Sequence, residues 1–90
     1  MNLVWDEPKR AANLVKHGLD FAHVEDGFDF GTAIALETSP SKNGRKRIRM
    51  IGEMNGILLV AMIVSPLGSE ALSIISLRTA NKKECELYGW

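Results

Sequence analysis

Polar and apolar positions alternate with changing period along the chain, and the changes mark its elements. Asn2 to Trp5 reads as a short strand. Asp6 is a suitable N-cap, Pro8 fits the first helical turn, where its missing N–H is not needed, and Gly18 suits the position just past a helix end, so a helix is expected from there to about His17. Ala11, Leu14 and Val15 form its apolar side. Lys9, Asn13, Lys16 and His17 recur at i, i+4, i+7 and i+8 and share a polar face. Asp20 can cap a second, shorter helix in which Phe21, Val24 and Phe28 point inward, with Gly27 and Gly31 framing its exit.

The period then shortens. Thr32 to Glu37 is an expected strand, and Thr38-Ser39-Pro40-Ser41-Lys42-Asn43-Gly44 an expected loop. Arg45 to Gly52 alternates, with Arg45, Arg47 and Arg49 on one face and Ile48 and Met50 on the other. Asn55-Gly56 favours a tight hairpin turn, and Ile57 to Val64 is continuously apolar, as a strand covered on both faces is. After a turn at Ser65 to Ser69, Ala71 to Arg78 reads as the last strand, and Thr79 as the cap of a closing helix that reaches Tyr88. The order predicts an α+β domain, residues 1–90 as one unit, with N-terminal helices packed on an antiparallel sheet and a C-terminal helix.

Composition narrows the class. At 90 residues, 46% hydrophobic and 24% charged, the chain is an ordinary globular domain of marginal size, one that buries roughly 60% of its unfolded surface and gains from a covering partner. A single cysteine, Cys85, closes no internal disulfide. The apolar run Ile57 to Val64 is far short of the roughly 20 residues of a membrane helix, and no signal peptide is visible at the N-terminus, so a cytoplasmic location without membrane contact is expected.

Charge is balanced overall, at 11 basic and 11 acidic residues, but not along the chain. Residues 1–41 hold three basic and seven acidic side chains, net −4; residues 42–90 hold eight and four, net +4. Such a split can create a positive face on a neutral molecule, and a positive face attracts phosphate or an acidic partner.

The candidate chemistry lies in basic side chains. No Cys or His pair has ligand spacing, no phosphate-binding glycine loop and no serine elbow occurs, and neither metal nor organic cofactor is expected. RNA cleavage without metal needs a proton acceptor for the 2′-hydroxyl, cations for the charged phosphorane and an acid for the leaving oxygen. Histidine suits proton transfer near neutrality, and arginine holds phosphate without losing its charge. His17, Lys16, Arg47 and Arg78 are the catalytic candidates; Lys9, Arg45 and Arg49 are the RNA-binding ones. Each has a structural alternative. His17 can complement a helix dipole, alternating arginines can guard an edge strand, and Arg78 can pair with Glu84 for structural reasons alone. Trp5, Phe21 and Phe28 read as core.

The order Trp5-Asp6, Lys9, Asn13, Lys16-His17-Gly18, Phe21 and an acidic Asp29 after Phe28 resembles the opening signature of the BrnT toxin family. Further on, Arg47 before Ile51-Gly52, the Leu58-Leu59-Val60 strand, Ile74-Ile75-Ser76 with Arg78 and Ala80, then Glu84 and Tyr88, are similar too, so the likeness spans nearly the whole chain. It implies a RelE-like fold and an endoribonuclease that arrests growth. It also implies neutralisation by a BrnA-like antitoxin with a ribbon-helix-helix domain, through which operator DNA is contacted indirectly. Lys9, Lys16, His17, Arg47, Arg78 and Glu84 are the positions carried over, with Glu84 either orienting an arginine or acting as a base. Lys46 stands where the family has Glu, Ile63 where it has an aromatic, and Thr79 where it has a basic residue. These departures lend weight to an alternative, a non-catalytic protein- or nucleic-acid-binding module with a basic face.

Overall fold

The computed structural model describes residues 2–40 and 42–90. Met1 and Ser41, the latter in the middle of the expected loop, lie outside the described residues. The elements run β1 (Asn2–Trp5), α1 (Glu7–His17), a single 3₁₀ turn (Phe21–His23) leading into the short α2 (Val24–Gly27), β2 (Ile34–Glu37), β3 (Ile48–Met54), β4 (Leu58–Leu67), β5 (Ala71–Thr79) and α3 (Lys82–Tyr88). The strands form one sheet in the order β1-β5-β4-β3-β2.

The sheet is mixed rather than antiparallel. β2 to β5 are antiparallel neighbours, but β1 lies parallel to β5, pairing Asn2 with Ala71 through Trp5 with Ile74. A parallel pair needs a long crossover between its strands. The whole intervening chain supplies it here, which is why local pattern reveals β1 as a strand but not its direction.

Two further expectations are corrected. β3 begins at Ile48, so Arg45 and Arg47 precede the strand instead of sharing its face with Arg49. The β3–β4 register ends at Ile48 opposite Val64, and continuing it would set Lys46 opposite Pro66, which has no N–H to donate. The Ser65 hydroxyl donates to the Lys46 carbonyl at 2.9 Å instead. At the other end, Thr79 closes β5 opposite Val60, and the cap of α3 is Asn81. Its side chain accepts from the Glu84 N–H while the Glu84 carboxylate accepts from the Asn81 N–H, a reciprocal capping box.

The expected caps of α1 are present: Asp6 accepts from the Lys9 N–H, and Gly18 takes the left-handed conformation at φ 71°. Asn55 and Gly56, at φ 55° and 72°, make the tight turn between β3 and β4, where the Ile57 N–H donates to the Met54 carbonyl.

The core lies on one face of the sheet, where Phe21, Val24 and Phe28 pack against Met54, Val60, Met62, Val64, Ile74 and Leu77. Gly52 of β3 admits the Phe28 ring: a Cβ there would sit 2.7 Å from Phe28 Cζ and 3.1 Å from Ala33 Cβ. Gly52→Ala is therefore expected to destabilise the fold by about 1–3 kcal/mol through overpacking. A urea midpoint equal to that of the parent protein would refute that account.

The opposite face, bearing Arg49, Ile51 and Glu53, is covered by α3, whose Glu84 and Tyr88 reach down to it. α1 is placed differently from either. Its apolar side chains point outward, with Leu14 41% and Val15 89% exposed, and the residue it buries is Asn13. Because β1 pairs only as far as Ile74, β5 has no strand beside Leu77 on that edge. The Asn13 amide takes that place: Nδ2 donates to the Leu77 carbonyl at 2.8 Å, and Oδ1 accepts from the Leu77 N–H at 3.1 Å. Buried backbone groups need such partners, so a polar residue serves this interface better than an apolar one.

Candidate nucleic-acid interface

The sequence-predicted residues fall into two groups joined by β5. The first lies along α1. Lys9, Lys16 and His17 surround a shallow hollow of about 270 Å³ whose floor is Asn13, Ile75 and Ser76. Helical spacing brings the three together, because positions three to four residues apart share a face. None of them is in an ion pair with a described residue.

The second group is held by Glu84. Arg78 grips its carboxylate with both terminal nitrogens, Nη1 to Oε1 at 2.7 Å and Nη2 to Oε2 at 2.9 Å, and Arg49 Nη1 reaches Oε2 at 3.2 Å. Glu84 is 1% exposed, whereas the side chains of Arg49 and Arg78 are about a third exposed, at 33% and 32%. A carboxylate taken this far from water persists because it is paired and hydrogen-bonded. The Arg78 guanidinium, first through its hydrogen bonds, holds the Glu84 carboxyl below its ordinary value of 4.5, with the Asn81 N–H and the Arg49 charge adding to the effect. Arg78 is correspondingly raised. Two guanidinium groups against one carboxylate leave net positive charge. Arg49 Nε is buried without a hydrogen-bond partner among the described residues, and so leaves a donor unused.

Ser76 connects the groups. The register sets Ser76 opposite Ile63, and Ile63 opposite Arg49, so Ser76, Arg78 and Arg49 share the α3-side face. Ser76 and Arg78 are two residues apart on β5, about 7 Å along a strand. A bulge between Ile63 and Val64 reverses the alternation before Ser76, which lets Ile74 and Leu77 both face the core.

Arg47 joins neither group among the described residues. Arg47 is tied by its carbonyl, which accepts from the Thr38 N–H at 3.2 Å, and its side chain has no partner among the described residues. Lys46 pairs with Glu37 at 3.1 Å on an exposed edge.

Two features were missed by sequence reasoning as parts of a site. Asn13 was visible as a polar helix position but not as a buried one. Beyond Ile51 on the α3-side face, the Tyr88 hydroxyl donates to Glu53 Oε2 at 2.6 Å and lies 3.1 Å from the Thr32 hydroxyl, which in turn donates to Asp29. The hydrogen bond to Glu53 raises the Tyr88 phenol above its ordinary value. A larger, mostly apolar cleft of about 420 Å³ opens on the other flank of α1 between Leu14, Leu19, His23 and Leu58, and contains none of the predicted site residues. No group of three or more His, Cys, Asp or Glu side chains is placed to hold a metal among the described residues. Nor is any helix among them long and apolar enough to cross a membrane.

Fold and site together define a small α+β domain with lysine, arginine and histidine side chains gathered beside one strand. Residues 5–84 match the sequence profile of the family described as the ribonuclease toxin BrnT of type II toxin–antitoxin systems, and the chain belongs to that family. It is similar to the Brucella abortus ribonuclease toxin BrnT, known from a crystal structure at 1.1 Å resolution. The two are 46% identical with a TM-score of 0.74, over 91% of this chain and 99% of that one. No match was found among curated protein sequences.

Proposed function

We propose that the chain is an endoribonuclease toxin, acting as one unit in the cytoplasm, that cuts RNA without a metal ion by attack of a 2′-hydroxyl on the adjacent phosphate. In this reading the fold is RelE-like, and cleavage arrests growth. A BrnA-like ribbon-helix-helix antitoxin neutralises the toxin, and operator DNA is met only through that antitoxin.

The observation that carries the reading is the juxtaposition on β5: an imidazole and two amines around Ser76, and two guanidinium groups beginning two residues further along the same face. His17 takes the proton of the attacking 2′-hydroxyl and returns it to the 5′-oxygen as the P–O5′ bond breaks, leaving a 2′,3′-cyclic phosphate and a 5′-hydroxyl; Lys9 and Lys16 hold flanking phosphate, and Arg78 and Arg49 meet the charge that grows on the phosphorane. Glu84 is assigned as a positioning residue. Its carboxylate is buried and accepts four hydrogen bonds, three of which orient the two arginines, so it is poorly placed to take a proton from a substrate. Arg45 and Arg47 are left with a supporting part, as backbone-phosphate contacts from the segment before β3.

Purified protein is incubated with end-labelled RNA at low salt, with and without a chelator. Discrete products in both conditions are expected, with binding that weakens by roughly 0.7 log units per tenfold rise in salt for each phosphate neutralised on a single strand. Binding without cutting would favour the non-catalytic module, and products lost on chelation would overturn the metal-free step.

A further inference from the structure

We infer that Asn13 is a positioning residue for the cleavage step, the clamp that fixes the helix-borne imidazole relative to the sheet-borne arginine. The inference rests on the nuclease reading and deepens it.

Asn13 uses its whole amide. Nδ2 donates twice, to the Leu77 carbonyl at 2.8 Å and to the Leu19 carbonyl at 2.9 Å, and Oδ1 accepts from the Leu77 N–H at 3.1 Å. The places of those partners in the chain matter. Leu77 sits between Ser76 and Arg78, and Leu19 lies two residues beyond His17, just past the left-handed Gly18. One side chain therefore ties Ser76-Leu77-Arg78 to His17-Gly18-Leu19.

Asn13 is also four residues after Lys9 and three and four before Lys16 and His17, so the helix face that carries the site is the face that the amide anchors. Little else fixes the helix there. Val15 is 89% exposed and Leu14, 41% exposed, borders the cleft on the other flank, so apolar contact beside Asn13 is partial and does not by itself determine how far α1 slides or rolls along β5. A directional set of three hydrogen bonds to fixed backbone atoms does. Of the other ties of α1, Arg10 to Asp20 joins the helix to its own outgoing loop, and Trp5 of β1 to Glu7 lies at the start of the helix, six residues before Asn13.

The geometry predicts a loss in the chemical step larger than the loss in substrate binding, because misplacing a catalytic group by about 1 Å costs on the order of 10²-fold in rate. Asn13→Ala removes all three bonds. Asn13→Asp is nearly isosteric and keeps the acceptor for the Leu77 N–H, while losing both donors as a carboxylate. Val24→Ala, a core truncation on the far side of β5, serves as the control for lowered stability.

All proteins are assayed on the same RNA at a temperature where circular dichroism shows each to be folded. Expected are a kcat about 10²-fold below wild type for Asn13→Ala, with KM changed only a few-fold, and a smaller loss for Asn13→Asp. Val24→Ala should retain the wild-type kcat despite a lowered melting temperature. Wild-type kcat in either Asn13 variant, or an equal fall in Val24→Ala, overturns the assignment. So does failure of both Asn13 variants to fold under any condition, which would make the amide a folding residue only. Wild-type protein that cuts no RNA overturns the nuclease reading itself, a result distinct from a wild type that cuts and variants that cut equally well.

Discussion

Glu84→Gln is expected to lower stability by about 3 kcal/mol at neutral pH, the scale found when one partner of a buried ion pair is removed and the other is left behind. For a domain of this size that is a fall of roughly 12–24 °C in the thermal midpoint. The substitution keeps shape and volume, so the effect isolates charge. Glu84 is 1% exposed and accepts from Arg78 twice, Arg49 once and the Asn81 backbone once. A glutamine can still cap α3 through its oxygen, but it sets an amide donor against guanidinium donors and leaves two partly buried cations uncompensated. The two arginines keep about a third of their surface in water, at 33% and 32%, which places the estimate at the low end of the usual range.

The pH dependence separates this account from a simple packing defect. Glu84 has a carboxyl held below its ordinary value of 4.5, so it binds fewer protons in the folded than in the unfolded state at mildly acid pH. Its contribution is fully present above that ordinary value and is lost as pH falls below it, through the folded-state value. The melting difference between Glu84→Gln and wild type should therefore be constant through neutrality and shrink on acidification. A difference that does not change with pH would sink the electrostatic explanation.

The legible parts of the fold are those set by local chemistry. Asp6, Pro8 and Gly18 delimit α1, the positive-φ pair Asn55-Gly56 makes the β3–β4 turn, and Phe21, Val24 and Phe28 all reach the core. The misread parts depend on what lies opposite. A strand at Arg45 requires a ladder partner, and Pro66 withholds one. The direction of β1 is decided by β5, nearly seventy residues away. Asn81-Lys82-Lys83-Glu84 carries a capping-box pattern that was open to view, but Thr79 is also a good cap, and only its pairing with Val60 shows it to be strand. α1 defeats the rule that a helix buries its apolar side, because the surface it meets is the unpaired edge of a strand.

The site divides in the same way. Lys9, Lys16 and His17 were brought together by helical spacing alone, and the hollow beside Ser76 contains all three. The alternation of Arg45, Arg47 and Arg49 was legible, but which arginine reaches the cluster was not, since that depends on where β3 begins and on Glu84 arriving from α3. Pairing of Arg78 with Glu84 was foreseen as the structural alternative to a catalytic part. The pairing is present, and in the proposed reading it does not compete with a catalytic part, since the carboxylate that fixes Arg78 would also aim it.

His17→Ala follows from that division of labour and has the largest expected effect on activity, a loss of about 10² to 10⁴-fold in kcat, the usual contribution of a positioned proton-transfer group. The fold should barely change. The imidazole is only partly buried and enters no ion pair with a described residue, and its loss from the last turn of α1 costs at most about 1 kcal/mol of dipole interaction. RNA affinity should also hold within a few-fold, because Lys9, Lys16, Arg49 and Arg78 keep their charges. Expressed without antitoxin, the variant should no longer arrest growth, while single-turnover assays show RNA bound but uncut. His17→Gln, which keeps hydrogen-bonding capacity but cannot exchange a proton, should be equally slow, and that tells proton transfer from simple contact. Cleavage at the wild-type rate by both variants would remove His17 from the mechanism. Parallel loss of affinity and rate would make it a phosphate-binding group instead, and the proton acceptor would then have to be sought elsewhere along the same face of β5.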